Sequence, residues 1–378
     1  MRKWIERQKN IFDFTLSSLV RRKKKNAALI LVYTLMVFFL ASVLFFTHAL
    51  REEASLILKE APEMIVQRLT AGRHELIPVA YADTIRAING VISVTERLWG
   101  YYYDPTADAN YTLMAVEDPD LVSGSIAIGE GISRIRGVNE GDRMDFLTYQ
   151  GKLLELKIKK TFSAESGLIS SDLILISAPD FRSLFGTPAD YAVDLNVRIR
   201  NPKELSTIAR KVAYYLPDTR QILKQEILRT YDALFNWRGG IMLAVFSGAM
   251  LAFFIFAWDK ASGLSEEERK EIGILKGIGW EIADIVRMKS FEGLSVSITS
   301  FLTGLLCAYI HVFFSSSILF EPVLKGWAVL YPKFKLTPFI DLTEIASLFF
   351  FTVAPYTVAT IIPSWRAATA DPDSVMRQ

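Results

Sequence analysis

Four stretches of the chain carry no Asp, Glu, Lys or Arg: Asn26 to Leu50, Gly239 to Trp258, Gly293 to Phe320 and Ile345 to Trp365. Each reaches the roughly 20 apolar residues that a helix needs to cross a hydrocarbon core about 30 Å thick. The pattern therefore predicts four transmembrane helices, over 26–50, 239–258, 293–320 and 345–365. The first follows basic residues, as a secretory signal does, but its apolar run far exceeds the roughly 7 to 15 residues of such a signal. It reads as an anchor that is kept.

Between the first two spans the period changes. Residues 51–238 alternate short strands with short helices, which predicts an α+β domain outside the membrane. Leu56, Ile57 and Leu58 continue the first helix outward. Glu63 to Leu69 reads as a strand opened by Pro62, and Pro78 to Ile88 as a helix stopped by Asn89-Gly90. Val91 to Tyr103 and Tyr111 to Val116 read as strands around the turn-rich DPTADAN. From Ser125 the close-spaced glycines of AIGEGISRIRGVNEGDRMDF, then LLELKIKKTF and LILIS, predict a small β-barrel or sheet with tight turns. FRSLFG, the strand YAVDLNVRIR and the helix PKELSTIARKVAYYL follow, and Ile222 to Trp237 leads back to the membrane. The reading is two α+β subdomains on two helical stalks.

Charge sets the orientation. Arg21, Arg22, Lys23, Lys24 and Lys25 stand directly before the first span, and moving such groups through the bilayer centre costs about 2.5 to 3.5 kcal/mol each. That end stays in the cytoplasm, and four spans return the C-terminus there. The 259–292 loop and the 366–378 tail then lie inside, with 51–238 and 321–344 outside. Trp237 and Trp258 flank the second span as interfacial aromatics do. In the arm 1–25, Trp4, Ile11, Phe12, Leu16, Leu19 and Val20 recur at near-helical spacing, which predicts an amphipathic helix along the inner leaflet.

Composition narrows the chemistry. The net charge of +2 gives no basic field for nucleic acid, and the one cysteine, Cys307, leaves the outer domain without an intrachain disulfide. Three histidines, His48, His74 and His311, are too scattered for a metal site, and His74-Glu75 lacks the second histidine of a zincin. There is no P-loop and no GxSxG. No catalytic or metal-binding residue is expected, and no cofactor bound by this chain. Only His311 is ionisable within the interior of a span, His48 standing near the end of the first, which disfavours an ion-coupled carrier. Gly304 and Ala308 form a small-xxx-small pair that fits either close helix approach between chains or ordinary packing within this one.

The inner loop is the most specific stretch. Ser265 to Gly293 reads SEEERKEIGILKGIGWEIADIVRMKSFEG. A helix over Glu266 to Lys276, a break at Gly277 and Gly279, and a second helix from Glu281 predict a hairpin reaching into the cytoplasm. Ile272, Leu275, Ile278, Ile282, Ile285 and Val286 are expected to form one apolar face among charges. The candidate partner-coupling residues are Glu271, Ile272, Gly273, Leu275, Lys276, Gly277, Ile278, Gly279 and Ile282.

Lys270 to Gly279, KEIGILKGIG, and the tail motif Pro363, Ser364, Ala367, Ala368 and Pro372 resemble the two signatures of the FtsX-like and MacB-like ABC transporter permease family. The basic LVRRKKKNAALIL start and GEGISRIRGVNEGDRMDF are similar to that family's arm and outer core. Trp280 departs from the small residue usual there, and Glu63 to Asp118 is weakly diagnostic. The resemblance implies a non-catalytic permease subunit of the inner membrane that pairs with a second permease copy or paralogue. A separate cytoplasmic ATPase, holding ATP and Mg, would bind the inner loop and act by mechanotransmission on the outer domain. Export or release of a lipoprotein, peptide or small molecule, or action on a cell-wall enzyme through an extracytoplasmic partner protein, is implied. The rival reading is a membrane-anchored sensor or scaffold.

Overall fold

The computed structural model describes residues 2–59, 61–162, 170–230, 266–320 and 336–369, together with positions 247, 248, 251, 255 and 330. The chain divides into two compact units, one made of Met1–Ala49, Asn236–Ser315 and Pro338–Gln378, the other of Leu50–Phe235 and Ser316–Thr337.

The first unit is helical. Helix α1 spans Arg2–Arg21 and α2 spans Lys23–Lys59. Among the described residues three helical stretches are long and apolar enough to cross a membrane: Lys23–Glu53, Ile282–Phe314 and Leu342–Arg366. They coincide with three of the four expected spans. The span expected at 239–258 lies almost wholly outside the described residues. Two ends differ from expectation. The third span stops being helical at Phe314, after a π-helical turn over Ile310–Phe314, rather than at Phe320. The last helix runs from Leu342 to Thr369 and takes both Pro355 and Pro363 into its interior, so Pro363 does not end it.

These helices meet through small and hydroxylated residues, as lipid-embedded helices do where no hydrophobic gain separates protein from lipid contacts. At Gly304 a Cβ would sit 2.9 Å from the Thr34 carbonyl and 2.8 Å from the Val37 side chain, and Ala308 is fully buried. The Gly304 and Ala308 pair is therefore a packing seam within this chain. The Ser300 hydroxyl donates to the Ile30 carbonyl at 3.3 Å, the Tyr33 hydroxyl to the Thr352 carbonyl, and His311 Nδ1 lies 3.3 Å from the Ser42 hydroxyl.

The second unit holds two main sheets, a small pair of β3 (Ile77–Pro78) with β11 (Tyr191–Ala192), and one shared core. The five-stranded sheet runs β13-β1-β12-β4, from Thr219–Leu223, Met64–Thr70, Asp194–Ile199 and Val91–Arg97, with β2, Arg73–Glu75, paired to β1. The six-stranded sheet runs β5-β6-β10-β7-β9-β8. Its strands are Trp99–Asp104, Ala109–Ala115, Leu173–Ile176, Ser125–Gly129, Leu153–Phe162 and Arg143–Leu147. Alternation places Met64 and Val66, Leu195 and Val197, Met144 and Phe146, and Leu156 and Ile158 inward. Strand β7 is buried at every position, as its place inside the sheet requires. A single apolar cluster joins residues of both sheets, and Leu330 packs against it. The expected two subdomains are thus two sheets of one compact unit.

The six-stranded sheet curls until its edges nearly meet. The Tyr102 hydroxyl on β5 accepts from the Leu147 amide of β8 at 2.8 Å, and the Tyr102 and Phe146 rings meet at 5.2 Å. Side chains, not a strand ladder, make this closure.

Among the described residues the unit also contains the helices α3 (Tyr81–Arg86), α4 (Glu130–Arg136), α5 (Ala178–Phe185) and α6 (Leu205–Tyr215). Helix α4 corrects the expectation of glycine-rich turns. Gly129 and Gly137 cap it, and a Cβ at Gly129 or Gly131 would come within 1.7 or 2.4 Å of the Ser170 or Ser171 carbonyl. Those glycines admit a neighbouring backbone and do not break the helix. Strand β13 is a second correction: Thr219–Leu223 pairs with β1, taking in Ile222 and Leu223, where the expected lead back to the membrane begins.

Candidate functional site

The expected helical hairpin forms, with a sharper turn. Helix α7 spans Glu266–Gly277 and α8 spans Ile282–Tyr309. Between them the Trp280 amide donates to the Leu275 carbonyl and the Gly279 amide to the Lys276 carbonyl, each at 3.0 Å. This pairing is a Schellman motif with Gly279 at the left-handed position, φ +97°. Gly277 is the last residue of α7, so only one of the two glycines does what both were expected to do. Trp280 brings the apolar contact that accompanies such a turn, packing with Leu275. On the far side the Asp284 carboxylate accepts from the Glu281 amide at 3.3 Å and so closes the first turn of α8.

The expected apolar face divides in two. Ile272 and Leu275 are 2% and 4% exposed, and Ile285 is fully buried. Ile272 and Ile285 pack with Ala368 of α9 (Leu342–Thr369), while Leu275 packs with Ile11 of α1 and Met288 of α8. Gly273 is buried beside them. Ile274, Ile278 and Ile282 are 58%, 69% and 40% exposed. Helical spacing explains the split: Ile272 and Leu275 share one side of α7, and Ile274 with Ile278 shares the next.

Charges join α1 and the start of α2 to the same hairpin. Glu268, 6% exposed, accepts from Arg22 at 2.6 Å and Lys25 at 3.1 Å. Glu271 accepts from Arg21 at 2.6 Å and also pairs with Arg22. Arg7 reaches Glu281 at 3.0 Å and pairs with Asp284. Burial alone would raise the Glu268 carboxyl, but the charges of Lys289, Lys25 and Arg22 outweigh it and hold the group below the usual carboxylate range. Lys289 is itself held by Glu292 at 2.7 Å. The basic run from which the orientation is read is thus also part of a folded cluster. Sequence reasoning missed this, although the acidic residues of EEERKE facing the basic RRKKK run carried the signal.

The histidines lie apart. His74 Nε2 is 3.1 Å from the Val193 carbonyl in the second unit, and His48 Nδ1 is 3.2 Å from Glu344 in the helical unit.

No protein-family model and no curated protein matches this sequence. Among solved structures the chain is similar to the extracellular domain of the noncanonic ABC-type transporter YknZ from Gram-positive bacteria. That likeness has 9% identity and a TM-score of 0.29, and covers 42% of this chain and 98% of that one. It is also similar to the periplasmic region of MacB from Actinobacillus actinomycetemcomitans, with 10% identity and a TM-score of 0.30, covering 45% of this chain and 92% of that one.

Proposed function

We propose that the chain is the permease-type membrane subunit of an ABC system, in which a separate cytoplasmic ATPase seats on the α7–α8 turn and drives the outer unit. The observation that carries this reading is the turn itself. Its sequence is the KEIGILKGIG stretch, and it presents Ile274, Ile278 and Ile282 to solvent while Ile272 and Leu275 fix it from behind. Apolar anchors on a rigid, capped hairpin suit insertion into a groove of a partner protein. ATP and Mg belong to that partner, and a second permease copy or paralogue completes the pair.

In this mechanism both termini lie in the cytoplasm, and closure of two ATPase domains displaces the hairpin. The helix Lys23–Lys59 is one route by which motion travels outward. Cargo is handled by the outer unit, in export or release of a lipoprotein, peptide or small molecule, without a polar path through the bilayer.

The test is co-purification of the full chain from its native membrane, followed by ATPase assay in nanodiscs. A stoichiometric ATPase whose turnover changes with the permease is the expected result. Ile278→Asp removes an exposed anchor, for which about 2 kcal/mol, a roughly thirtyfold loss of affinity, is typical. Absence of any ATPase, or unchanged binding and stimulation in Ile278→Asp, would put a sensor or scaffold role ahead.

A further inference from the structure

Three attachments spread along α1 tie the N-terminal arm to the inner hairpin. Near its start Arg7 pairs with Glu281 and Asp284. At its middle Ile11, 2% exposed, is closed in by Leu275 and Met288, and the Phe14 ring lies 5.4 Å from that of Trp280. At its end Arg21 and Arg22 hold Glu271 and Glu268. Arg7 and Arg21 are about 21 Å apart along a helix rising roughly 1.5 Å per residue. A helix held at both ends and in the middle does not pivot on one contact.

We propose that α1 and the α7–α8 hairpin form one cytoplasmic body, locked by the Glu268 and Glu271 charge cluster, so that the N-terminal arm is part of the coupling element. A surface-anchor role alone would leave Arg21, Arg22 and Lys25 to lipid headgroups and the Ile11 face to the leaflet. Instead α7 takes those cations and α7 with α8 covers that face. Glu268 makes the lock specific, because a carboxylate so buried depends on its cations, and removing them strands the charge. Leu16 and Val20 remain exposed on another side of α1, so the arm can meet the membrane surface and the hairpin at once. A partner that displaces the hairpin thereby moves the helix that leads into the first span.

The word coupling rests on the ATPase reading above, whereas the docking of α1 does not, so the test contains no ATPase. Nitroxide labels at the exposed positions Lys9 and Arg269, in the full chain in nanodiscs with Cys307→Ser, report the distance between α1 and α7. A single narrow distribution is expected. Arg22→Glu should broaden it, and Arg22→Glu with Glu271→Arg should narrow it again, which a general loss of folding cannot mimic. Ile11→Ala removes packing, leaves every charge in place, and should also broaden the distribution. The proposal is overturned by a broad distribution in the unaltered chain, or by a narrow one that survives both Arg22→Glu and Ile11→Ala. Failure to find an ATPase would leave the distance result standing.

Discussion

Leu275 and Ile278, three positions apart in one motif, have different work. Leu275 is closed against Ile11 and Met288 while Ile278 stands in solvent. Truncating a buried leucine to alanine costs about 2 to 5 kcal/mol. Leu275→Ala is therefore expected to raise hydrogen exchange across α1 and α7, whereas Ile278→Ala should leave exchange unchanged and act only on a bound partner. Equal exchange in the two variants would erase the division. The sequence reading put both residues on one face because periodicity within a segment tells how many sides are apolar, not what lies against each. Gly129 poses a similar question with a backbone answer. A Cβ there would lie 1.7 Å from the Ser170 carbonyl, and main chain cannot swing aside as a side chain can. Gly129→Ala should destabilise the outer unit by about 3 kcal/mol, at the upper end of overpacking effects. Gly137→Ala meets open space but keeps a left-handed φ of +64°, for about 1 kcal/mol. Denaturant unfolding followed by exchange in β7 separates the two, and equal losses would refute the distinction.

Helices and strands were legible wherever one residue pattern ran long enough. The long apolar helices and strands such as Leu153–Phe162 stand close to where alternation and charge place them. Helix α4 was hidden by glycines whose purpose is a long-range approach, and β13 by being only five residues of edge strand beside β1. The clamp on α1 was hidden for a third reason: its carboxylates lie some 250 positions from its cations, and no local pattern joins them. At this scale acid is informative. Glu268 has a folded pKa below its ordinary 4.5, so its contribution to holding α1 is complete above about pH 4.5 and is lost as pH falls through the lower folded value. The Lys9 to Arg269 distance should stay narrow from neutrality to about pH 5 and broaden only in stronger acid. Broadening near pH 6 would point to another group. Asp284 offers a second test of element integrity. Asp284→Ala removes both the acceptor of the Glu281 amide and the partner of Arg7, and should cost about 1 kcal/mol at the start of α8, seen as faster exchange at 282–285 with the rest of α8 unchanged.

For the whole molecule, topology is the statement most open to direct contradiction. In a Cys307→Ser background a cysteine placed at Asp108 should react with an impermeant maleimide added outside intact cells, and one placed at Arg269 only after permeabilisation. The opposite pattern would reverse the orientation drawn from Arg21 to Lys25. The outer unit also gathers its core from two separated parts of the chain, because Leu330 packs against the cluster built by residues 64–216. Synthesis runs from one end, so the strands of that unit leave the ribosome well before Leu330 exists. The contact that Leu330 adds to the cluster is therefore made only after α7 and α8 have been synthesised. A chain stalled before that point lacks the Leu330 contact and leaves exposed the part of the apolar cluster that Leu330 covers.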